Sequence, residues 1–325
     1  MRLLLSIATL LIVFVGVSHP LESNIPYIEW HPSENILAVS LGNSLQILDG
    51  TSLEIVNALF EVEEEIHTFA WSSDGSKIAF STWTKTYLWN NPTATTSCSL
   101  MDSPYPTATE PQIVFPVSSI AWHPSDDIIS GSIGGTLVFW DATSFEVLYL
   151  LAFDWSEIND IDWSVSNKIA IANRDSTVYI VNPEAKEIEK MYAISGEGIS
   201  AFTTLDFDSS GNKLAFGWDE GFVLVWDLSQ ATDYISRGSA ISFGTGMAHI
   251  HPVTSVDWSP NNLYIATGSQ DGIAKIWNAK TGELLQTIDY VPEGLSVNVS
   301  WNAESSELAL IADTMTLPVV LSVPQ

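Results

Sequence analysis

The chain has 325 residues, 46% of them hydrophobic, and its 39 acidic against 11 basic residues give a formal net charge of −28. A surface this acidic repels nucleic acid and anionic lipid, and the single cysteine, Cys98, excludes an internal disulfide framework. Stability must therefore come from packing, and thirteen Trp with Gly and Pro scattered throughout suit half-buried strands joined by tight turns.

Residues 1–18 carry Arg2 and the apolar run "LLLSIATLLIVFVGV", and Gly16 and Ser18 put small residues at the −3 and −1 positions of a cleavage site. This is the pattern of a secretory signal peptide, so the mature protein is expected to be exported, whether extracellular, periplasmic or cell-surface. The apolar core falls short of the about 20 residues that a membrane span needs, which makes a retained anchor the weaker reading.

Residues 19–325 read as one array of repeats. The segments are "IPYIEWHPSENILAVS", "IHTFAWSSDGSKIAFS", "VSSIAWHPSDDIISGS", "INDIDWSVSNKIAIAN", "FTTLDFDSSGNKLAFG", "VTSVDWSPNNLYIATG" and "LSVNVSWNAESSELALIA". They align on Trp30, Trp71, Trp122, Trp163, Phe207, Trp258 and Trp301, at intervals mostly of about 40 to 45 residues. Each holds an alternating strand, a polar turn and a second apolar strand, the pattern of a hairpin. A third strand follows, as in "TYLWN", "LVFWD", "VLVWD" and "AKIWN". Four Asx residues in register (Asp49, Asp141, Asn182, Asn278) are each followed five positions later by Glu (Glu54, Glu146, Glu187, Glu283), which predicts a recurring Asx turn.

Units of this length, ending near Trp-Asp, resemble the blades of WD-repeat β-propellers. The turn "SSDGSKIAF" is also similar to TolB-type propellers. The expected fold is all-β, a seven-bladed β-propeller. In the best copy, "AHIHPVTSVDWSPNNLYIATGSQDGIAKIWNAKTGELL", His249, Thr267, Asp271 and Trp277 match the family's structural hydrogen-bond tetrad. Elsewhere the tetrad aspartate is matched by Asp175 and Glu220 or replaced by Gly134, and the third-strand Trp becomes Leu48 or Val181. In the family an N-terminal strand usually completes the last blade. Here "LPVVLSVPQ" reads as a third strand and only "HPLESN" precedes the first blade, so a clipped outer strand or a three-stranded seventh blade is expected.

Residues at equal phase in the repeat are expected to be architectural. His31 and His123 each occupy the position held by Ser72 and Ser259 in sister segments, beside the first hairpin turn, and are read as structural. "DFDSSGN" (206–212) resembles the start of a calcium loop, but its twelfth position is Gly217 and Phe207 holds the repeat phase, so it is read as a hairpin. Asn298 fits a glycosylation motif but falls in an inner strand. No catalytic, metal-binding or cofactor-binding residue is nominated.

Three Trp fall outside the repeat positions: Trp83, Trp155 and Trp218. With Asp154, Glu157, Asp160, Asp219 and Glu220 they form a candidate rim for a protein or peptide partner, one carrying cationic groups by charge complementarity. The resemblance implies a non-catalytic interaction scaffold. The alternative is a propeller enzyme or small-ligand-binding protein that uses the central channel, and converging ionisable groups there would favour it.

Overall fold

The structure is a computed structural model that describes residues 26–59, 62–101, 116–152, 157–193, 201–229, 241–242, 247–289, 291 and 294–323. These residues form seven antiparallel sheets, six with four strands and one with three. Blade 1 consists of Ile28–Trp30, Ile36–Leu41, Ser44–Asp49 and Ile55–Leu59, and blade 2 of Ile66–Trp71, Lys77–Thr82, Thr86–Asn90 and Cys98–Leu100. Blade 3 consists of Val117–Trp122, Ile128–Ile133, Thr136–Asp141 and Val147–Ala152, and blade 4 of Ile158–Ser164, Lys168–Asn173, Thr177–Asn182 and Glu187–Ala193. Blade 5 consists of Phe202–Phe207, Lys213–Trp218, Val223–Asp227 and Ile241–Ser242, and blade 6 of Val253–Trp258, Tyr264–Ser269, Ile273–Asn278 and Leu284–Asp289. Blade 7 holds Val297–Trp301, Glu307–Ala312 and Val319–Ser322. The described residues contain no helix long and apolar enough to cross a membrane.

Burial explains the sequence pattern strand by strand. Second strands such as Lys168–Asn173 are buried at nearly every position because both faces meet a neighbouring sheet, and they read as continuous apolar runs. Outer strands such as Val147–Ala152 alternate between partly buried and exposed, as a strand with one covered face must. The third-strand indoles of Trp89, Trp140, Trp226 and Trp277 are fully buried. Seven hydrophobic clusters result, each shared by two adjacent blades, so the core is a set of seven seams. The last seam packs Ile28 and Trp30 of blade 1 against Ala309 and Ile311 of blade 7, which closes the ring.

The predicted turns take the form their residues dictate. Asp49, Asp141, Asn182 and Asn278 each accept backbone N–H bonds from the residues two and three ahead. The next residue in each turn, Leu53, Phe145, Lys186 or Gly282, sits at positive φ. A register shift follows in all four blades, between the third and outer strands. In blade 7 the third strand lies at the sheet edge and is mostly half-buried, where its counterparts in blades 1 to 6 are covered.

Candidate functional site

Two regions could recognise something. The first is the face where the turns between second and third strands open beside the entries to the inner strands. Trp83 stands there at 49% exposure, its ring 5.1 Å from that of His67. The turn beneath it is pinned from outside. Glu64 accepts hydrogen bonds from the Thr82 hydroxyl at 2.7 Å, the Thr84 N–H at 2.9 Å and the Thr84 hydroxyl at 2.5 Å, and Lys85 pairs with Glu63. The indole is therefore presented on a fixed turn flanked by carboxylates.

The other rim residues do not join it. Trp218 is the last residue of a second strand, 3% exposed, with its ring stacked on Phe202 at 5.1 Å; it folds into its own blade and offers no surface. Blades 2 and 5, which carry Trp83 and Trp218, are not neighbours in the ring. Asp160 is likewise displaced from the expected rim, because strand alternation turns its side chain into the channel. Glu157 is exposed and paired with Arg174 at 2.9 Å; Asp219 accepts the Ala201 N–H at 3.0 Å, and Glu220 is exposed. Asp154 and Trp155 lie outside the described residues, as do residues 1–18, the expected signal peptide.

The second region is the central channel, a cavity of about 550 Å³. Its wall is set by the inner strands, whose residues one and three positions before the repeat aromatic all point inward. The nearer tier is Glu29, Ala70, Ala121, Asp162, Asp206, Asp257 and Ser300, one residue from each blade. Five of these reach the next blade. Ser300 accepts the Trp30 N–H at 3.1 Å, Glu29 that of Trp71 at 3.1 Å, Asp162 that of Phe207 at 2.8 Å, Asp206 that of Trp258 at 2.6 Å and Asp257 that of Trp301 at 2.6 Å. In the second tier Asp160 accepts the Leu205 N–H at 2.9 Å and the Ser119 hydroxyl at 2.8 Å.

Burial raises the pKa of each of these acids. Glu29 is pushed up to about 8, with Asp257 and Asp162 adding like-charge repulsion and the Trp71 N–H opposing it. Asp257 rises to about 7 and Asp162 to about 6; Asp206, which faces both, rises well above the ordinary carboxylate range. None of these four is marked by a catalytic or ligand-binding motif in the sequence. Their signal was the recurring acid in "EW", "DW", "DF" and "DW" directly before the aromatic, at a phase read only as architecture. Converging carboxyl groups are what a channel-binding protein would need, yet each is already engaged by a neighbouring backbone. Among the described residues no group of three His, Cys, Asp or Glu is arranged to hold a metal ion.

The equal-phase histidines are clasps between blades. His31 Nδ1 accepts the N–H groups of Ser33 and Glu34, which leaves Nε2–H to donate to the Gly75 carbonyl of blade 2 at 3.1 Å. His123 Nε2 bonds Asn167 of blade 4 at 2.7 Å. In the tetrad, Trp277 Nε1–H donates to Thr267 Oγ1 at 2.9 Å, the Thr267 hydroxyl meets His249 Nε2 at 2.8 Å, and His249 Nδ1–H reaches Asp271 at 2.9 Å. Burial pulls the His249 pKa down, so a neutral ring faces Asp271. Asp208 caps the 206–212 turn through the N–H groups of Asn212 and Lys213, and Asn298, 6% exposed, donates to the Pro26 carbonyl.

The family model described as "WD domain, G-beta repeat" matches residues 110–141 and 244–278, which fall on blades 3 and 6. The chain is 27% identical over 201 residues to protein transport protein SEC31 of Saccharomyces cerevisiae, covering 55% of this chain and 16% of that protein. It is 23% identical over 228 residues to WD repeat-containing protein srw1 of Schizosaccharomyces pombe, covering 69% and 37% respectively. A shorter match, 35% identical over 86 residues, links it to the retinoblastoma-binding protein 5 homolog of Drosophila melanogaster, covering 26% of this chain and 16% of that one. The matched region thus spans well under half the length of each relative.

Proposed function

The chain is a WD-repeat β-propeller, and we propose that it is an exported, non-catalytic scaffold that binds a protein or peptide on the face carrying Trp83. The observation that carries this reading is a half-exposed indole on a turn clamped by Glu64. A rigid aromatic can bury area without losing conformational freedom, and such residues dominate binding energy at interfaces. Glu63 and Glu64 beside it suit a partner with Lys or Arg, through charge pairing and a cation–π contact worth about 0.5–1 kcal/mol at an exposed site. The WD-repeat relatives support the scaffold role, and the leader 1–18 supports export.

A second reading, a small ligand in the channel, is favoured by the five carboxyl groups that converge there. One experiment separates the two. Proteins captured by the wild-type chain are compared with those captured by Trp83→Ala and by Asp206→Asn. A partner weakened at least about tenfold by Trp83→Ala, with the melting temperature unchanged, supports the rim. A small molecule that co-purifies with the wild-type chain and is lost only with Asp206→Asn supports the channel. N-terminal sequencing of protein recovered from the producing cells tests export, which requires a chain beginning at His19.

A further inference from the structure

Asp162, Asp206 and Asp257 stand at the same level on three consecutive inner strands, and each accepts the backbone N–H of the following blade. Asp206 stands between Asp162 and Asp257, near enough for the carboxyl groups to feel one another's charge. Three ionised carboxylates set side by side in a buried wall repel one another, and a proton held among them removes a charge and supplies the donor that an ionised carboxylate lacks. The described residues of the channel wall supply no positive charge to offset theirs. Blade 1 contributes Glu29 and Tyr27, and blade 4 adds Asp160 in the second tier. The other wall positions are uncharged: Thr68 and Ala70 of blade 2, Ser119 and Ala121 of blade 3, Thr204 of blade 5, Ser255 of blade 6, and Asn298 and Ser300 of blade 7. No Lys, Arg or His is among the described residues that line the cavity.

We infer that shared protons hold the seams joining blades 4, 5, 6 and 7, so that the ring is a pH-responsive device which tightens in mild acid and loosens as the pH rises. Burial of the carboxyl groups, reinforced by their mutual repulsion, favours the protonated forms. A group that binds its proton more tightly when folded contributes stability that is complete below its unfolded pKa, near 4. That stability is lost as the pH climbs through its folded value. For these acids the loss runs from about pH 4 up to about 6 for Asp162, 7 for Asp257 and 8 for Glu29. His249, lowered by burial, works in the opposite direction and only around and below its ordinary value. Asp49 and Asp141, at the ends of third strands and held low mainly by backbone hydrogen bonds, lose their contribution only in stronger acid.

The test is thermal unfolding of the full chain between pH 5 and 8.5, with backbone amide exchange read over the same range. The melting temperature should fall with rising pH by roughly 2–4 °C per pH unit for each proton released. The amides of Phe207, Trp258 and Trp301 should lose at least tenfold in protection, corrected for intrinsic exchange, while those of blade 3 hold. Asp206→Asn supplies a donor and an acceptor without needing a proton and should flatten the slope; Glu220→Gln on the rim should leave it unchanged. Should Asp206→Asn fail to fold, the infrared band of protonated carboxyl groups in the wild-type chain, persisting above pH 6, gives the same answer. A melting temperature that is flat or rises across this range, a slope equally altered by Glu220→Gln, or absence of that band overturns the inference.

Discussion

At the scale of single residues, Thr267 shows how much one hydroxyl can hold. It accepts from Trp277 and meets His249, so Thr267→Val removes two buried hydrogen bonds while changing the volume little. The variant is expected to lose about 2–4 kcal/mol, measured by urea unfolding. Trp218→Ala removes a ring stacked between Phe202 and the blade core and should lose about 3–5 kcal/mol, whereas Trp83→Ala should stay within about 0.5 kcal/mol of wild type. Residue-level chemistry was legible where the repeat supplied a template, as with His249, Asp271 and the clasp histidines. It was not legible at Trp218. A tryptophan outside the repeat phase can face either way across a sheet, and only the position of Phe202 on the adjoining strand decides it.

At the scale of strands, the inner strands and their turns carry the ring, and their sequence announced most of it. The Asx turns, the hairpins and the apolar second strands follow from local rules, so they could be placed before any coordinates. What one neighbouring blade asks of another could not. Gly268 is an example. A Cβ placed there would lie 2.0 Å from the Val297 carbonyl oxygen, and backbone cannot step aside as a side chain can. Gly268→Ala should therefore part the seam between blades 6 and 7 and lower stability by at least about 1–3 kcal/mol, visible as an earlier urea midpoint. The channel acids escaped notice for the same reason. Their position beside each aromatic was plain, but their task is to hold the next strand, which one blade's sequence does not display.

At the scale of the whole molecule, repetition fixes the architecture and charge sets the conditions under which it is stable. A net charge of −28 strains the ring against itself, and salt screens that repulsion. Raising ionic strength from about 0.01 to 0.15 M shortens the screening length from about 30 to 8 Å, and the melting temperature should rise; a fall would mean that attractive pairs such as Glu157–Arg174 matter more. The number of blades was legible from seven aligned aromatics, which fall one to each of the seven sheets. Among the described residues the junction between blades 7 and 1 shares no strand between the two sheets. It is made by the Ser300 hydroxyl on the Trp30 N–H, the Asn298 amide on the Pro26 carbonyl, and one shared apolar cluster. Mechanical load applied to the two ends of the folded chain would fall first on those contacts, so under tension the molecule should open at this gap and unwind blade by blade.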